Sequence, residues 1–411
     1  MPNESLDRFA HSKIDDLETR GLRRTVQETH RTDAVRLRRG GRDLVSFCCN
    51  DYLGLTHHPD VKAAAAAAVA EYGAGAGASR LITGSHPLYA ALEARLAALK
   101  GTEAACVFGS GYMANTGIIP ALAGPGDLVV IDELGHASMH MGARASRAEI
   151  RLFRHNDAAD LGAVLAAERG RHGTCLVVTE GVFSMDGDRA PLDALAAAAV
   201  AHDAWLMVDD AHGFGVLGGG RGSAFEYDPV PDIPLQMGTL SKAAGAYGAF
   251  LCASAPVIEL MKNRARSFVY TTGLPPAAVG AAIAAVDIIA EDTARVAAPM
   301  RHARTFCARL GLPDERVERL RPQRTVGVLG AGIGTQGGVG VGHVLRPYWT
   351  VWRRSIQLRS SAITSSAGMS GETRSSMENR NPEGSRAASS LVTPLSPATW
   401  ARHRPRIFST P

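Results

Sequence analysis

From Asp43 onward the chain alternates between two textures. Short, unbroken apolar runs come first: AACVF, DLVVID, TCLVVTEGVF, AWLMVDD and PLQMGTL. Each is followed by an alanine-rich or glycine-rich stretch: ANTGIIPALA, HASMHMGARAS, PLDALAAAAVAHD, a glycine-rich loop, and SKAAGAYG. Runs that are apolar at every position, rather than at alternate ones, predict strands buried on both faces. Helical connections between them predict a mainly parallel sheet covered by helices, an α/β architecture. Upstream, VKAAAAAAVAEY is a strong helix former, and PLYAALEARLAALKG is amphipathic with a glycine stop. The first 40 residues read as one helix, SKIDDLETRGLRRTVQET, followed by basic connecting chain.

Composition adds limits. The 411 residues, 45% hydrophobic and 20% charged, suit a large globular core and at least two domains. No run reaches the roughly 18 apolar residues of a transmembrane helix, and the polar, acidic N-terminus has no secretory h-region. Six cysteines are scattered without a C-x-x-C pair, which predicts reduced thiols in a cytoplasmic protein. The net charge of +4 hides an asymmetry. Residues 321–411 hold 12 Arg, 3 Glu and neither Lys nor Asp, a net of +9, which leaves −5 for the first 320. The body therefore predicts no nucleic-acid partner.

The polar residues are placed with equal regularity. Tyr112, His136, Ser184, Asp209, His212 and Lys242 each fall at or just past the carboxyl end of a strand-like run. That edge is where open α/β sheets bind ligands, so one shared site is expected. GSGYMANTG leads a strand through a Gly-Ser-Gly turn into a helix, whose first amides suit a phosphate. Lys242 lies among glycines, alanines and small hydroxyls, Thr239 and Ser241 included. A crowded lysine of this kind can act as a nucleophile toward an aldehyde. Asp209 can hold a heterocyclic nitrogen protonated, His212 can bond a phenolic oxygen of the same ring, and His136 can pack on its face. A metal site is the competing reading for these groups, with His136 and His140 four apart. No H-E-x-x-H or further cluster completes it, so no metal is expected. The roles together describe pyridoxal 5′-phosphate (PLP).

Seven stretches occur in order: NDYLGL, GSGYMANTG, HAS, TEGVFSMDGDRAPL, VDDAHGFGVLGGGRG, GTLSK and YTTGLPP. Together they resemble the α-oxoamine synthases, and within them the branch of 8-amino-7-oxononanoate synthases, over about residues 15–312. The resemblance implies the PLP-dependent transferase fold type I, aspartate-aminotransferase-like, with a small domain from both termini. It divides the chain into an N-terminal helical arm (1–44), a large PLP-binding domain (45–290), the start of a small domain (291–320) and an atypical tail (321–411). It implies a homodimer with shared active sites. Lys242 would hold PLP and later move protons, with His136 stacked on the ring, Asp209 at its nitrogen and His212 at its oxygen. Ser184 and Thr239 match cofactor contacts, the amides of Gly111 and Tyr112 the phosphate loop, and Thr271 and Thr272 a phosphate contact from the other subunit. Arg23, or else Arg24, and Asn50 match substrate-side positions, with His136 also facing substrate. The implied reaction joins L-alanine to a pimeloyl thioester with loss of CO2. Related α-oxoamine synthases that join glycine to an acetyl or succinyl thioester are the alternative, followed by an aminotransferase.

After residue 320 the pattern stops. The family's threonine- and arginine-bearing C-terminal segment has no counterpart there, and Ser, Arg and Gly dominate. This composition predicts disorder, or a segment translated in a shifted frame, and with it an impaired enzyme. Gly332, Gly334 and Gly337 spell G-x-G-x-x-G, but no βαβ unit or acidic ribose partner accompanies them.

Overall fold

Among the described residues, seven strands form the central sheet: β4 (Ala104–Phe108), β5 (Leu128–Asp132), β6 (Glu149–Phe153), β7 (Cys175–Glu180), β8 (Trp205–Asp209), β9 (Leu235–Thr239) and β10 (Ala249–Ala253). Three short strands precede them in a separate antiparallel sheet: β1 (His30–Arg31), β2 (Arg36–Arg39) and β3 (Arg42–Val45). The computed structural model describes residues 4–311, all within one compact unit. The tail expected at 321–411 and the end of the 291–320 segment lie outside the described residues.

The order across the central sheet is β4-β10-β9-β8-β7-β5-β6. β6, β5, β7, β8 and β9 run parallel, and β10 runs antiparallel to both its neighbours, β4 and β9. Both faces are covered, which explains the unbroken apolar runs. Val129, Ile131, Leu176, Val178 and Met207 face one core cluster. Their chain neighbours Leu128, Val130, Val177, Leu206 and Val208 face another on the opposite side. A two-residue period with both phases buried leaves no polar position inside the strand.

The helices follow the expected runs. They are α1 (Glu4–Thr19), α2 (Pro59–Tyr72), α3 (Leu88–Lys100), α4 (Gly111–Leu122), α5 (Ala137–Ser146) and α6 (Ala158–Glu168). Next come α7 (Leu192–Ala201), α8 (Ala255–Arg264), the single turn α9 (Arg266–Val269), α10 (Pro276–Glu291) and α11 (Thr293–Arg309). Among the described residues no helix is long and apolar enough to cross a membrane.

Three expectations need correction. The N-terminal helix ends at Thr19 instead of reaching Thr29, because Gly21 (φ 64°) turns left-handed and the Leu22 amide closes back on Leu17 O at 2.7 Å. The rest of the supposed arm is irregular chain and the small sheet, so Arg23 and Arg24 lie beyond the helix. SKAAGAYG forms a turn, not a helix. Leu240 N bonds Gly248 O at 2.9 Å, reversing the chain into β10. A Cβ at Gly245 (φ +61°) would lie 2.5 Å from the Thr56 amide nitrogen, so the lysine turn packs directly on the loop that follows NDYLG. β6 and β10 had no counterpart among the expected strands. β6 is an edge strand with polar Glu149 and Arg151, and β10 lies within a run dominated by glycine and alanine.

Candidate active site

The carboxyl ends of β4, β5, β7, β8 and β9 open onto one cavity of about 180 Å³. Its lining includes Gly111, Tyr112, His136, Asp209, His212, Thr239 and Lys242. Three residues not singled out as site residues, Ser138, Glu180 and Ala211, line it too, as does Ser241.

Lys242 enters from the turn after β9, and its Nζ lies 2.7 Å from His212 Nε2. The other ring nitrogen of His212, Nδ1, is 2.7 Å from the hydroxyl of Tyr52. That hydroxyl also reaches Asn50 Oδ1 at 3.3 Å. Asn50 is thus joined to the lysine through Tyr52 and His212, although it does not line the cavity. Tyr52 was legible only as part of NDYLGL, where nothing local marked it out.

Asp209 closes β8 and is 6% exposed. Its Oδ1 accepts from the Ala211 amide at 3.0 Å, and its Oδ2 accepts from Asn115 Nδ2 at 2.8 Å. Asn115 Nδ2 also donates to Ser138 Oγ at 2.9 Å, and Ser138 Oγ meets His136 Nδ1 at 2.7 Å. Two helix residues therefore connect the carboxylate of β8 to the histidine that caps α5. Burial lowers the pKa of His136; Asp209 opposes that shift and Lys242 adds to it. The ring is accordingly neutral near pH 7, the form that packs on an apolar face without desolvating a charge.

The residues fit PLP on two grounds. A carboxylate as buried as Asp209 with only neutral donors is an incomplete pair, since no cation is salt-bridged to it among the described residues. A protonated ring nitrogen would complete it. At the other end, Ser110 caps α4 by accepting from Met113 N at 3.2 Å. The amides of Gly111 and Tyr112, the first two of the helix, have no intrahelical acceptor and suit a phosphate. A Cβ at Gly111 would lie 2.8 Å from Thr239 Cγ2, so only glycine leaves that cradle open.

Other expected residues lie elsewhere. Ser184 is in the turn after β7, half-buried and outside the lining. Thr271 and Thr272 precede α10; Thr272 is exposed and bridges to Ser79. Arg23 is exposed and paired with Glu18 at 2.7 Å, and Arg24 is exposed beside it. His140 is half-buried, and its Nε2 is buried with no hydrogen-bond partner among the described residues.

His155, also unforeseen, fastens the Ser184 turn to the sheet. Its Nδ1 meets Asp132 Oδ1 at 2.9 Å and its Nε2 meets Asp188 Oδ2 at 2.6 Å. Its ring stands edge-on to Phe183, with centroids 4.4 Å apart. Burial alone would lower its pKa, but the hydrogen bonds to the two carboxylates outweigh burial and raise it to about 10.

Comparisons with known proteins agree with this geometry. The family described as aminotransferase class I and II matches residues 42–329. The 8-amino-7-oxononanoate synthase of Beijerinckia indica is 60% identical over 308 residues, spanning 75% of this chain and 80% of that protein. Among solved structures, SPT with PLP aligns with a TM-score of 0.68 at 33% identity, covering 75% of this chain and 77% of that one. The 8-amino-7-oxononanoate synthase of Francisella tularensis aligns with a TM-score of 0.55 at 29% identity, covering 64% of this chain and 74% of that one. The sheet order, the lysine turn after β9 and these likenesses lead to one conclusion: the chain belongs to the class I and II aminotransferase family, in its 8-amino-7-oxononanoate synthase group.

Proposed function

We propose that this chain is a PLP-dependent acyltransferase of biotin synthesis. It condenses L-alanine with a pimeloyl thioester, carried on coenzyme A or acyl carrier protein. The products are 8-amino-7-oxononanoate, CO2 and the free thiol. The observation that carries the reading is the convergence of Lys242, His212, Asp209 and His136 on one cavity at the sheet's carboxyl edge. Relatives at 60% identity, named for this activity, support the choice of substrates.

When bound, PLP supplies an electron sink for a carbanion at the substrate α-carbon. Lys242 is the amine that would hold the cofactor's aldehyde, and it is the base placed to take the α-proton of bound alanine. His212, 2.7 Å from the lysine nitrogen, orients that amine and would hydrogen-bond the cofactor's phenolic oxygen. Asp209 would keep the ring nitrogen protonated, and the Asn115–Ser138 bridge holds His136 where it would pack on the same ring. The amides of Gly111 and Tyr112 would hold the phosphate end, Thr239 and Ser184 would contact the cofactor, and Arg23 and Asn50 would serve the substrate side. Thr271 and Thr272 reach a phosphate from the second copy of a homodimer. The same reading places the protein in the cytoplasm, supported by six cysteines scattered along the sequence without a C-x-x-C pair.

Purified protein given alanine or glycine with a panel of acyl thioesters should release thiol with alanine and the pimeloyl thioester. Release with glycine alone would overturn the assignment. A second reading is favoured by the composition break after residue 320: a chain that holds PLP on Lys242 without turning over. Its signature is a PLP absorbance band that responds to alanine with no thiol release.

A further inference from the structure

We propose that Arg80 is a positioning residue. It holds both ends of the segment that carries Thr271 and Thr272, and so sets their reach toward the phosphate of PLP on the second copy. The inference rests on the proposed function for that phosphate and that copy, while the clamp itself stands on geometry.

Arginine is an unusual side chain to bury, and Arg80 has no part in the chemistry proposed for the cavity. Its side chain is 10% exposed and that of Glu93 is 11% exposed. The two form a forked pair, Nη1 to Glu93 Oε1 at 2.5 Å and Nη2 to Oε2 at 3.3 Å. Glu93, on α3, also accepts from the Val107 amide of β4 at 2.9 Å, which anchors the carboxylate to the sheet. The guanidinium carbon lies over two rings, 3.9 Å from the centroid of Tyr89 and 5.1 Å from that of Phe268. Such contacts are stronger buried than exposed, because little water competes for the cation.

Those rings flank the two threonines along the chain. Phe268 belongs to α9, which ends at Val269, two residues before Thr271. The hydroxyl of Tyr89 accepts from the Leu274 amide at 2.5 Å, two residues past Thr272. Between them, Ser79 pairs with Thr272 in an antiparallel bridge, and the Gly273 amide donates to Ala78 O at 3.0 Å. A Cβ at Gly273 would lie 2.9 Å from Gly84 O, so the two loops are in direct contact. Arg80 follows Ser79 in one loop and touches the ring on each side of the other. Lysine would keep the charge beside Glu93. It has no plane to stack on Tyr89 and no fork for both carboxylate oxygens. Phenylalanine at position 89 would keep the ring and leave the Leu274 amide without this acceptor.

Two measurements test the proposal. In protein free of PLP, amide exchange across 270–274 should quicken about tenfold in Arg80→Lys and in Tyr89→Phe, with β5 and β7 unchanged. Unchanged exchange at 270–274 overturns it, and so does an equal rise throughout the sheet, the mark of general destabilisation. Hybrid dimers of differently tagged chains then show where Arg80 acts. A Lys242→Ala chain paired with an Arg80→Lys chain keeps one Lys242, on the chain whose partner has an intact Arg80. Its PLP affinity, read from the absorbance of lysine-bound PLP, should match wild type within about twofold. A chain carrying both Lys242→Ala and Arg80→Lys, paired with wild type, sets the altered segment against the remaining PLP. Affinity should there fall about tenfold. The opposite pattern, or equal affinities, overturns the proposal, since Arg80 would then act within its own chain or not at all. Chains that never pair overturn it together with the homodimer. Should Arg80→Lys fail to fold, Tyr89→Phe takes its place in both pairings. Wild type that takes up no PLP, with exchange as expected, would fell the proposed function and leave Arg80 as the clamp of this segment.

Discussion

Replacing His155 by glutamine should cost stability in a pH-dependent way, and its size follows from the structure. The imidazole is 20% exposed between Asp132, which is fully buried, and Asp188. Its pKa rises from 6.5 to about 10, the two carboxylates outweighing the burial that would lower it. A raised histidine pKa contributes stability that is complete below the unfolded value and lost as pH climbs through the folded one. The window therefore runs from about pH 6.5 to about pH 10. At about 1.4 kcal/mol per pKa unit, the contribution is about 4 kcal/mol at pH 7 and falls by about 2.5 kcal/mol on going to pH 9. Glutamine fills similar space but does not titrate. Urea unfolding of wild type and His155→Gln across this range should show a gap that is widest near neutrality and narrows as pH rises. A gap that stays constant from pH 7 to 9 would refute the reasoning, since it would mean that the ring packs there without carrying charge. The effect reaches the site as well. Phe183 N bonds Asp188 O at 2.9 Å, so the clamp holds the turn that carries Ser184. PLP affinity should fall in the same variant.

Other substitutions probe the cavity and its supports. Asp209→Asn removes the buried charge but keeps the shape, and should lower kcat/KM roughly 10²-fold or more; a loss under about threefold in steady-state assays would contradict its pairing role. Gly111→Ala places a methyl group 2.8 Å from Thr239 Cγ2 and should weaken PLP binding about tenfold by absorbance titration, with unfolding little changed. Gly142→Ala, on α5, puts its Cβ 2.5 Å from the Asn115 carbonyl oxygen of α4. Forcing those helices apart should cost about 1–3 kcal/mol in urea unfolding and shift the Asn115–Ser138 bridge; an unchanged midpoint would show that the contact gives way freely.

The sequence by itself determined the strand-rich α/β class, the order of the chemistry-bearing loops and the identity of the residues at their tips. It could do so because burial on both faces leaves an unbroken apolar run, and because glycine and small residues mark a tight turn locally. Lys242, Asp209, His212 and His136 were legible for that reason. What only the tertiary structure decided is how those residues are joined. His212 meets Tyr52 across 160 residues of chain, and Asp209 meets Asn115 across 94. His155 spans β5 and the turn after β7. Such contacts depend on strand order, on a reversed β10 and on a lysine turn packed against Thr56. Local pattern cannot encode them, because each partner looks like an ordinary polar residue until the sheet brings the two together.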